Sequence, residues 1–149
     1  IVSYRKKFLF VHIYKTAGTS ITDSLARYCY RPGSTRPSNW IPFLTAKWKK
    51  IHSTPIKKHA TALQIRDTLH PEVFASFFKF SFVRNPWDWQ VSLYHYILEH
   101  PENPGYISTK DMGSFRNFVF SRSDLGFTQT GCLADSGGKL LVDFVGRFE

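Results

Sequence analysis

The chain has little of what disulfide-rich, metal-binding or membrane-spanning proteins need. Its two cysteines, Cys29 and Cys132, lie far apart and lack the neighbours of a zinc or thiol redox motif, so the sequence assigns no redox compartment. No apolar stretch reaches the roughly eighteen residues of a membrane span, and no signal-peptide pattern opens the sequence. We therefore expect a soluble segment with no membrane span.

Acidic residues are also scarce. Eleven Asp and Glu stand against twenty Lys and Arg, and the resulting net charge of +9 favours an anionic partner such as a nucleotide, an acidic glycan, a nucleic acid or a membrane surface. With 149 residues, 42% of them hydrophobic and 17% aromatic, the chain is long enough to bury a core as one domain over 1–149. The basic clusters at 5–7, 47–50 and 57–58 are expected to be solvated surface.

A loop of small residues with a lysine, Lys15 to Ser20, follows the apolar run Phe8 to Val11, where a strand is expected to end and a helix to begin. Backbone N–H groups of such a turn and of a first helical turn form an anion site that large side chains would block. Gly18 would let the backbone approach a phosphate, Lys15 would add a positive charge, and hydroxyl donors would come from Thr16, Thr19 and Ser20. The alternative is a structural turn with a solvated lysine.

A second junction of strand and helix lies at Phe80 to Tyr94. Arg84 ends the strand, Asn85 is suited to cap the helix, and Pro86 is suited to its first turn. Helical spacing predicts an apolar stripe of Trp87, Val91, Tyr94 and Leu98, and a polar stripe of Asp88, Ser92, His95 and Glu99. Arg84 and Ser92 would then clamp a second phosphate, and the alternative for Arg84 is an ion pair with Asp88.

The two junctions together resemble a known family. Lys15 to Ser20 is similar to the 5′-phosphosulfate loop of sulfotransferases that use 3′-phosphoadenosine 5′-phosphosulfate (PAPS), and Arg84 to Asp88 with Ser92 is similar to their 3′-phosphate motif. The resemblance is to the carbohydrate branch, which includes chondroitin, dermatan and heparan 2-O enzymes and bacterial relatives. Segments 59–62 and 145–149 also resemble it, whereas Tyr14 stands where many members have proline.

This resemblance implies in-line transfer of a sulfuryl group from PAPS to a hydroxyl or amine, with a carbohydrate as the favoured acceptor. The donor-binding residues it implies are Lys15, Thr16, Ala17, Gly18, Thr19, Ser20, Arg84 and Ser92. It implies no metal and no nucleic acid partner, and it places the protein in the cytoplasm of a bacterium or the Golgi lumen of a eukaryote. It also implies that the domain is incomplete at its C-terminus, because relatives continue beyond this point into further helices.

An attacking hydroxyl needs a base, and His59 is the candidate for that base. Lys15 is the other candidate catalytic residue. His59 comes just before a predicted helix and after a long irregular stretch, and it matches a histidine segment of the family. The alternative is a surface or helix-capping histidine. His12 is expected to be packed or hydrogen-bonded, and the remaining histidines have no metal-ligand spacing.

The order of elements predicts an α/β fold with a P-loop-like parallel sheet flanked by helices. Strands are expected at 7–13, 77–83 and 139–145, and helices at 19–29, 60–69, 86–100 and 114–121. A turn is expected at Pro71, and a breaker at Pro101 to Gly105 is expected to end the preceding helix. Acceptor contacts are expected from the long irregular stretch 30–58 and from the region 101–113. Ligands of such sheets bind at the carboxyl ends of the strands, where Lys15 and Arg84 both lie.

Two other classes of function stay open at this point. A P-loop kinase or hydrolase has a similar fold, but the loop lacks the Gly-x-x-x-x-Gly-Lys-Ser/Thr spacing and the strand before Arg84 has no terminal aspartate to help hold Mg²⁺. A non-catalytic basic domain would bind glycan or nucleic acid through its lysine clusters, and this binding would not change in Lys15→Ala. A degenerate sulfotransferase that binds PAPS without turnover lies between these classes.

Overall fold

A computed structural model of the protein describes residues 1–29, 56–122 and 128–149. In this part of the chain, four strands form one sheet in the order β1 (Val2–Ser3), β2 (Phe8–Val11), β3 (Phe78–Val83) and β4 (Phe144–Arg147). Strands β2, β3 and β4 are parallel, and β1 is antiparallel to β2. The predicted α/β fold is confirmed, although the short β1 makes the sheet mixed.

Helices connect the strands and follow them along the chain. They are α1 (Gly18–Leu25, continued by a 3-10 turn at Ala26–Tyr28), α2 (Ala62–Thr68), α3 (Pro71–Ser76), α4 (Pro86–Glu99), α5 (Tyr106–Asp111) and α6 (Phe115–Arg122). Asn85 caps α4 as predicted, since its Oδ1 accepts from the Trp87 N–H at 3.0 Å. Sequence alone thus located four of these helices to within a few residues.

Two predictions were wrong, and one helix was not predicted. Pro71 begins α3 instead of forming a turn, and α5 lies in the region 101–113, to which no helix was assigned. The last strand begins at Phe144, not at 139, because Lys139 N–H donates to the Asp135 carboxylate at 3.0 Å and Leu140 bridges to Ala134 instead of joining the sheet. Most of the predicted irregular region 30–58 lies outside the described residues.

One face of the sheet packs on the main core. Leu9 and Val11 of β2 contact a cluster that includes Ala62 and Ile65 of α2. The central strand β3 places two polar side chains on this face, Lys79 and Ser81. Both are satisfied, because Ser81 Oγ donates to the Val11 carbonyl at 2.8 Å and Lys79 pairs with Asp143 at 3.0 Å. These bonds tie β3 to β2 and to the residue that precedes β4.

The opposite face of the sheet is made of phenylalanine rings from three neighbouring strands. Their centroids lie between 5.3 Å and 6.5 Å apart along the series Phe8, Phe10, Phe78, Phe80, Phe82 and Phe144. A slip of one residue in any of these strands would move its rings to the other face of the sheet. The aromatic face therefore fixes the register that aligns the carboxyl ends of β2 and β3.

Helix α4 turns a different face inward from the one predicted. Its buried residues are Trp89, Leu93 and Ile97, which pack with Phe118 of α6. Trp87, predicted to be core, is 73% exposed, whereas Trp89 is 4% exposed. The indole N–H of Trp89 donates to the Tyr14 carbonyl at 2.8 Å, so a tertiary bond to the loop after β2 selects the face of α4 that is buried.

Candidate active site

The loop after β2 has a backbone shaped to present N–H groups. Lys15 and Ala17 have left-handed conformations, with φ of 62° and 57°, on either side of Thr16. Thr16 is buried, and its Oγ1 donates to the Ile13 carbonyl at 2.8 Å. Its hydroxyl therefore closes the turn from inside, which differs from the expectation that it would face a phosphate. Successive N–H groups in such turns form a concavity that binds anions.

The first turn of α1 adds further donors to this loop. The first helical hydrogen bond runs from the Ile21 N–H to the Ala17 carbonyl at 3.1 Å, and Ala17 at the N-cap provides no side-chain cap. The N–H groups before Ile21 consequently have no helical acceptor. Thr19 and Ser20 are exposed at this end of the helix. The loop and the helix terminus thus form one continuous set of donors, beside the Lys15 ammonium.

His12 supports the loop from beneath. Its ring is buried, as predicted, and a Cβ atom built at Gly18 would lie 1.9 Å from it. Burial, together with the smaller effects of the charges of His59, Lys58 and the amino terminus, lowers the pKa of His12 from 6.5 to about 4. The imidazole is therefore neutral at physiological pH and acts as packing under the N-terminus of α1.

Arg84 lies at the carboxyl end of β3, next to the loop. Burial lowers the pKa of Lys15, and the charge of Arg84 lowers it further, whereas the charge of Glu99 raises it. Arg84 Nε is buried and has no hydrogen-bond partner. The alternative of an ion pair with Asp88 is wrong, because the ion pairs among the described residues are Arg66–Asp67 and Lys79–Asp143. Two cations therefore face the same region without a carboxylate bound to either.

Helix α4 forms the wall opposite Lys15. The Lys15 ammonium lies 4.2 Å from the centroid of the Tyr96 ring. Ser92 is half-buried one turn before Tyr96, and Glu99 follows about one turn after it, so the three share a face of the helix. No hydrogen bond joins Ser92 to Arg84 in the structure, and Ser92 is brought to the Lys15 side of α4 by its helical position.

A cleft of about 430 Å³ opens between the loop, the segment before α2 and α4. It is lined by Tyr14, Lys15, Thr19, Lys58, His59, Leu93, Tyr96, Ile97 and Asn103. His59 lies in this lining with its Nδ1 3.2 Å from the His12 carbonyl oxygen. The helix-capping alternative for His59 is wrong, because Thr61 caps α2 in a capping box with Gln64.

Several residues of the cleft had no signal in the sequence. Lys58 is exposed, as expected for a solvated basic cluster, and it also lines the cleft. Asn103 lies in the stretch expected to be a helix breaker. Tyr14 stands where many relatives have proline. It lines the cleft and also contacts helix α4. Its carbonyl accepts from Trp89, and its ring centroid lies 5.0 Å from that of Trp89 and 6.0 Å from that of His59.

The sequence pattern of the Sulfotransferase family matches residues 1–125, a range that includes the loop after β2, His59 and the Arg84 junction. The chain belongs to the Sulfotransferase family. No curated protein and no solved structure matches it. Membership makes the protein a transferase of sulfuryl groups. The candidate site described above lies at the carboxyl ends of β2 and β3, the edge at which ligands of such sheets commonly bind.

Two further findings concern the described parts of this sulfotransferase. Within residues 1–29, 56–122 and 128–149, no three His, Cys, Asp or Glu side chains are grouped so as to hold a metal ion. Among the helices of these ranges, none combines the length and the apolar character needed to cross a membrane.

Proposed function

We propose that this sulfotransferase transfers a sulfuryl group from PAPS to a hydroxyl of a carbohydrate. The observation that carries the proposal is the convergence of Lys15, the N–H groups of its loop and Arg84 at the ends of two adjacent parallel strands. The buried Arg84 Nε without a partner fits this donor, because its 3′-phosphate would supply the missing acceptor. PAPS supplies an activated sulfuryl group.

Lys15 and the loop would stabilise the charge that grows as the sulfuryl group leaves the nucleotide. The ammonium of Lys15 would sit by the bridging oxygen, and the N–H groups at the start of α1 with the Thr19 and Ser20 hydroxyls would hold the terminal oxygens. These donors are fixed by the fold before the reaction begins. Fixed donors of this kind lower a barrier because they need no reorganisation as charge develops.

Arg84 and Ser92 would bind the 3′-phosphate, which distinguishes PAPS from ATP. A guanidinium offers two parallel N–H donors to phosphate oxygens, a geometry that an ammonium does not provide. Ser92, on the same helical face as Tyr96, would add a hydroxyl donor. Lys15 at one phosphate and Arg84 at the other would fix the nucleotide at both ends.

His59 would accept the proton of the attacking hydroxyl. Its Nδ1 lies 3.2 Å from the His12 carbonyl oxygen. Because a carbonyl oxygen can accept a hydrogen bond but cannot donate one, this contact favours the tautomer with hydrogen on Nδ1. The lone pair is then on Nε2, and His59 lines the cleft. The base would thus be held in the required tautomer by the backbone.

The lining of the cleft suits a polyhydroxylated acceptor. Tyr14 and Tyr96 offer flat apolar surfaces with hydroxyl groups, and Lys58 and Asn103 offer polar donors. The volume of about 430 Å³ lies in the range of roughly 300–1,000 Å³ of small-molecule sites. A sugar, with alternating apolar faces and hydroxyl edges, has the chemistry that this combination would bind.

Calorimetry with 3′-phosphoadenosine 5′-phosphate (PAP), ADP and ATP, each with and without Mg²⁺, tests the proposal. We expect PAP to bind in the absence of Mg²⁺ and more tightly than ADP, because only PAP has the 3′-phosphate. A preference for ATP with Mg²⁺ would instead support a P-loop kinase or hydrolase. Absence of binding by all three nucleotides would refute the donor site and favour a basic domain that binds glycan alone.

A further inference from the structure

Arg84 rests on an aromatic ring from a distant part of the chain. Its guanidinium carbon lies 4.6 Å from the centroid of Phe148, which follows β4. Phe148 is held in place by its own backbone, whose N–H donates to the Val83 carbonyl at 2.8 Å. A ring beneath a guanidinium contacts its flat face and leaves the N–H groups at its edge available.

The backbone of Arg84 is held by a second distant residue. The side-chain amide of Gln129 makes two hydrogen bonds to it, from the Arg84 N–H to Oε1 at 2.9 Å and from Nε2 to the Arg84 carbonyl at 2.8 Å. The next N–H, that of Asn85, donates to a Glu149 carboxylate oxygen at 2.6 Å. The main chain at the end of β3 is thus held on both sides of the position from which the arginine side chain extends.

We propose that Phe148 and Gln129 are positioning residues that hold Arg84 for the 3′-phosphate of the nucleotide, an inference that rests on the proposed function. Neither residue has to touch the ligand. Gln129 fixes where the side chain of Arg84 starts, and Phe148 fixes the plane of its guanidinium. A long arginine side chain loses rotamer freedom when it binds, and a side chain that is already ordered loses less.

A merely structural role predicts a different result from a positioning role. If Phe148 only stabilised the end of β4, its loss would weaken the whole donor site and would lower the affinity for any adenine nucleotide. If it orients Arg84, its loss would lower affinity only for nucleotides with a 3′-phosphate. The ratio of the affinities for PAP and for AMP, which lacks that phosphate, separates the two roles.

The test compares Phe148→Leu, which removes the ring, with Phe148→Tyr, which keeps it. Phe120→Leu is the matched control, because Phe120 carries the guanidinium of Arg116 at 5.7 Å and does not line the cleft. We expect Phe148→Leu to weaken PAP binding about tenfold and AMP binding less than twofold, as loss of a cation–π contact allows. Phe148→Tyr and Phe120→Leu should keep the parent ratio.

Gln129→Met removes both hydrogen bonds at similar side-chain length and gives an independent measurement should Phe148→Leu fail to fold. It should also lower the PAP to AMP ratio, and in turnover it should raise the KM for the donor with little change in kcat. Parent-like ratios in folded Phe148→Leu or Gln129→Met would overturn the inference and leave the proposed function intact. A parent protein that binds PAP no better than AMP would instead refute the proposed function.

Discussion

The imidazole of His12 fills the space in which a side chain at Gly18 would lie. A Cβ atom at Gly18 would come within 1.9 Å of two ring atoms, Cδ2 and Nε2. The sequence suggested that Gly18 is needed for close approach to a phosphate, and the structure adds a steric reason inside the protein. The glycine allows the first turn of α1 to sit directly on a buried histidine.

Gly18→Ala should therefore destabilise the fold. Overpacking of a filled site costs about 1–3 kcal/mol in free energy of unfolding, and chemical denaturation measures it. The cost should fall when His12→Ala is combined with Gly18→Ala, because the ring is then absent. Gly137→Ala is the matched control, since a Cβ there meets only Asp135 at 3.4 Å. Equal costs of Gly18→Ala in both backgrounds would contradict the contact.

Stability should fall as the pH drops from about 6.5 towards 4. The pKa of His12 is lowered from 6.5 to about 4 in the folded protein, so between these values the unfolded chain binds a proton that the folded chain does not. Protons then favour unfolding. The charged or titratable groups that act on His12 are His59, Lys58 and the amino terminus, and burial is the largest cause. Melting temperatures of the parent and His12→Phe over this pH range check the prediction, and an unchanged pH dependence in His12→Phe would contradict it.

Lys15→Ala and Arg84→Ala should each weaken PAP binding by about 10- to 100-fold, the range expected for loss of a charge-assisted hydrogen bond. The chain offers a control for each variant. Lys110→Ala removes an ammonium that lies over Tyr106 at 5.7 Å, and Arg116→Ala removes a guanidinium that lies over Phe120. Calorimetry on folded variants measures the effect. Donor binding would have to be reassigned if the site variants bound PAP as tightly as their controls.

His59→Ala should keep PAP binding and lose turnover. Removal of a general base costs about 10²- to 10⁴-fold in rate, whereas in the proposed function other groups hold the nucleotide. His95→Ala, an exposed histidine of α4 outside the cleft lining, is the control. Steady-state kinetics with a responsive acceptor, alongside calorimetry, separates the two effects. Full turnover in His59→Ala would show that the base lies elsewhere.

The sequence predicted the local structure of the two junctions of strand and helix that make up the candidate site. A strand followed by small residues and a lysine, and a strand followed by Arg, Asn and Pro, are patterns of neighbouring residues. Parallel pairing of β2 with β3 then brings Lys15 and Arg84 to one edge, as expected for their position at strand ends.

Predictions from the sequence failed where contacts between distant residues determine which side chains are buried or bonded. The buried face of α4 was mistaken because tryptophan and tyrosine occur around the helix, and only the bond from Trp89 to Tyr14 shows which side is inside. Gln129 reaches Arg84 across 45 residues, and no local pattern marks such a contact. Helix α5 was not predicted because its N-cap, Gly105, has no side chain to mark the start of a helix.

The parallel pairing of β2, β3 and β4 also governs when the site can exist during folding. Ser81 bonds to Val11 across 70 residues, and Asn85 bonds to Glu149 across 64 residues. Contacts so distant along the chain form slowly, because the entropy of closing long loops is lost before the contacts are gained. The loop after β2 precedes Arg84 along the chain, and the end of β3 gains its support only when the distant residues Phe148 and Glu149 have made their contacts with Arg84 and Asn85. The end of β3 that carries Arg84 should therefore reach its final geometry later in folding than the loop after β2.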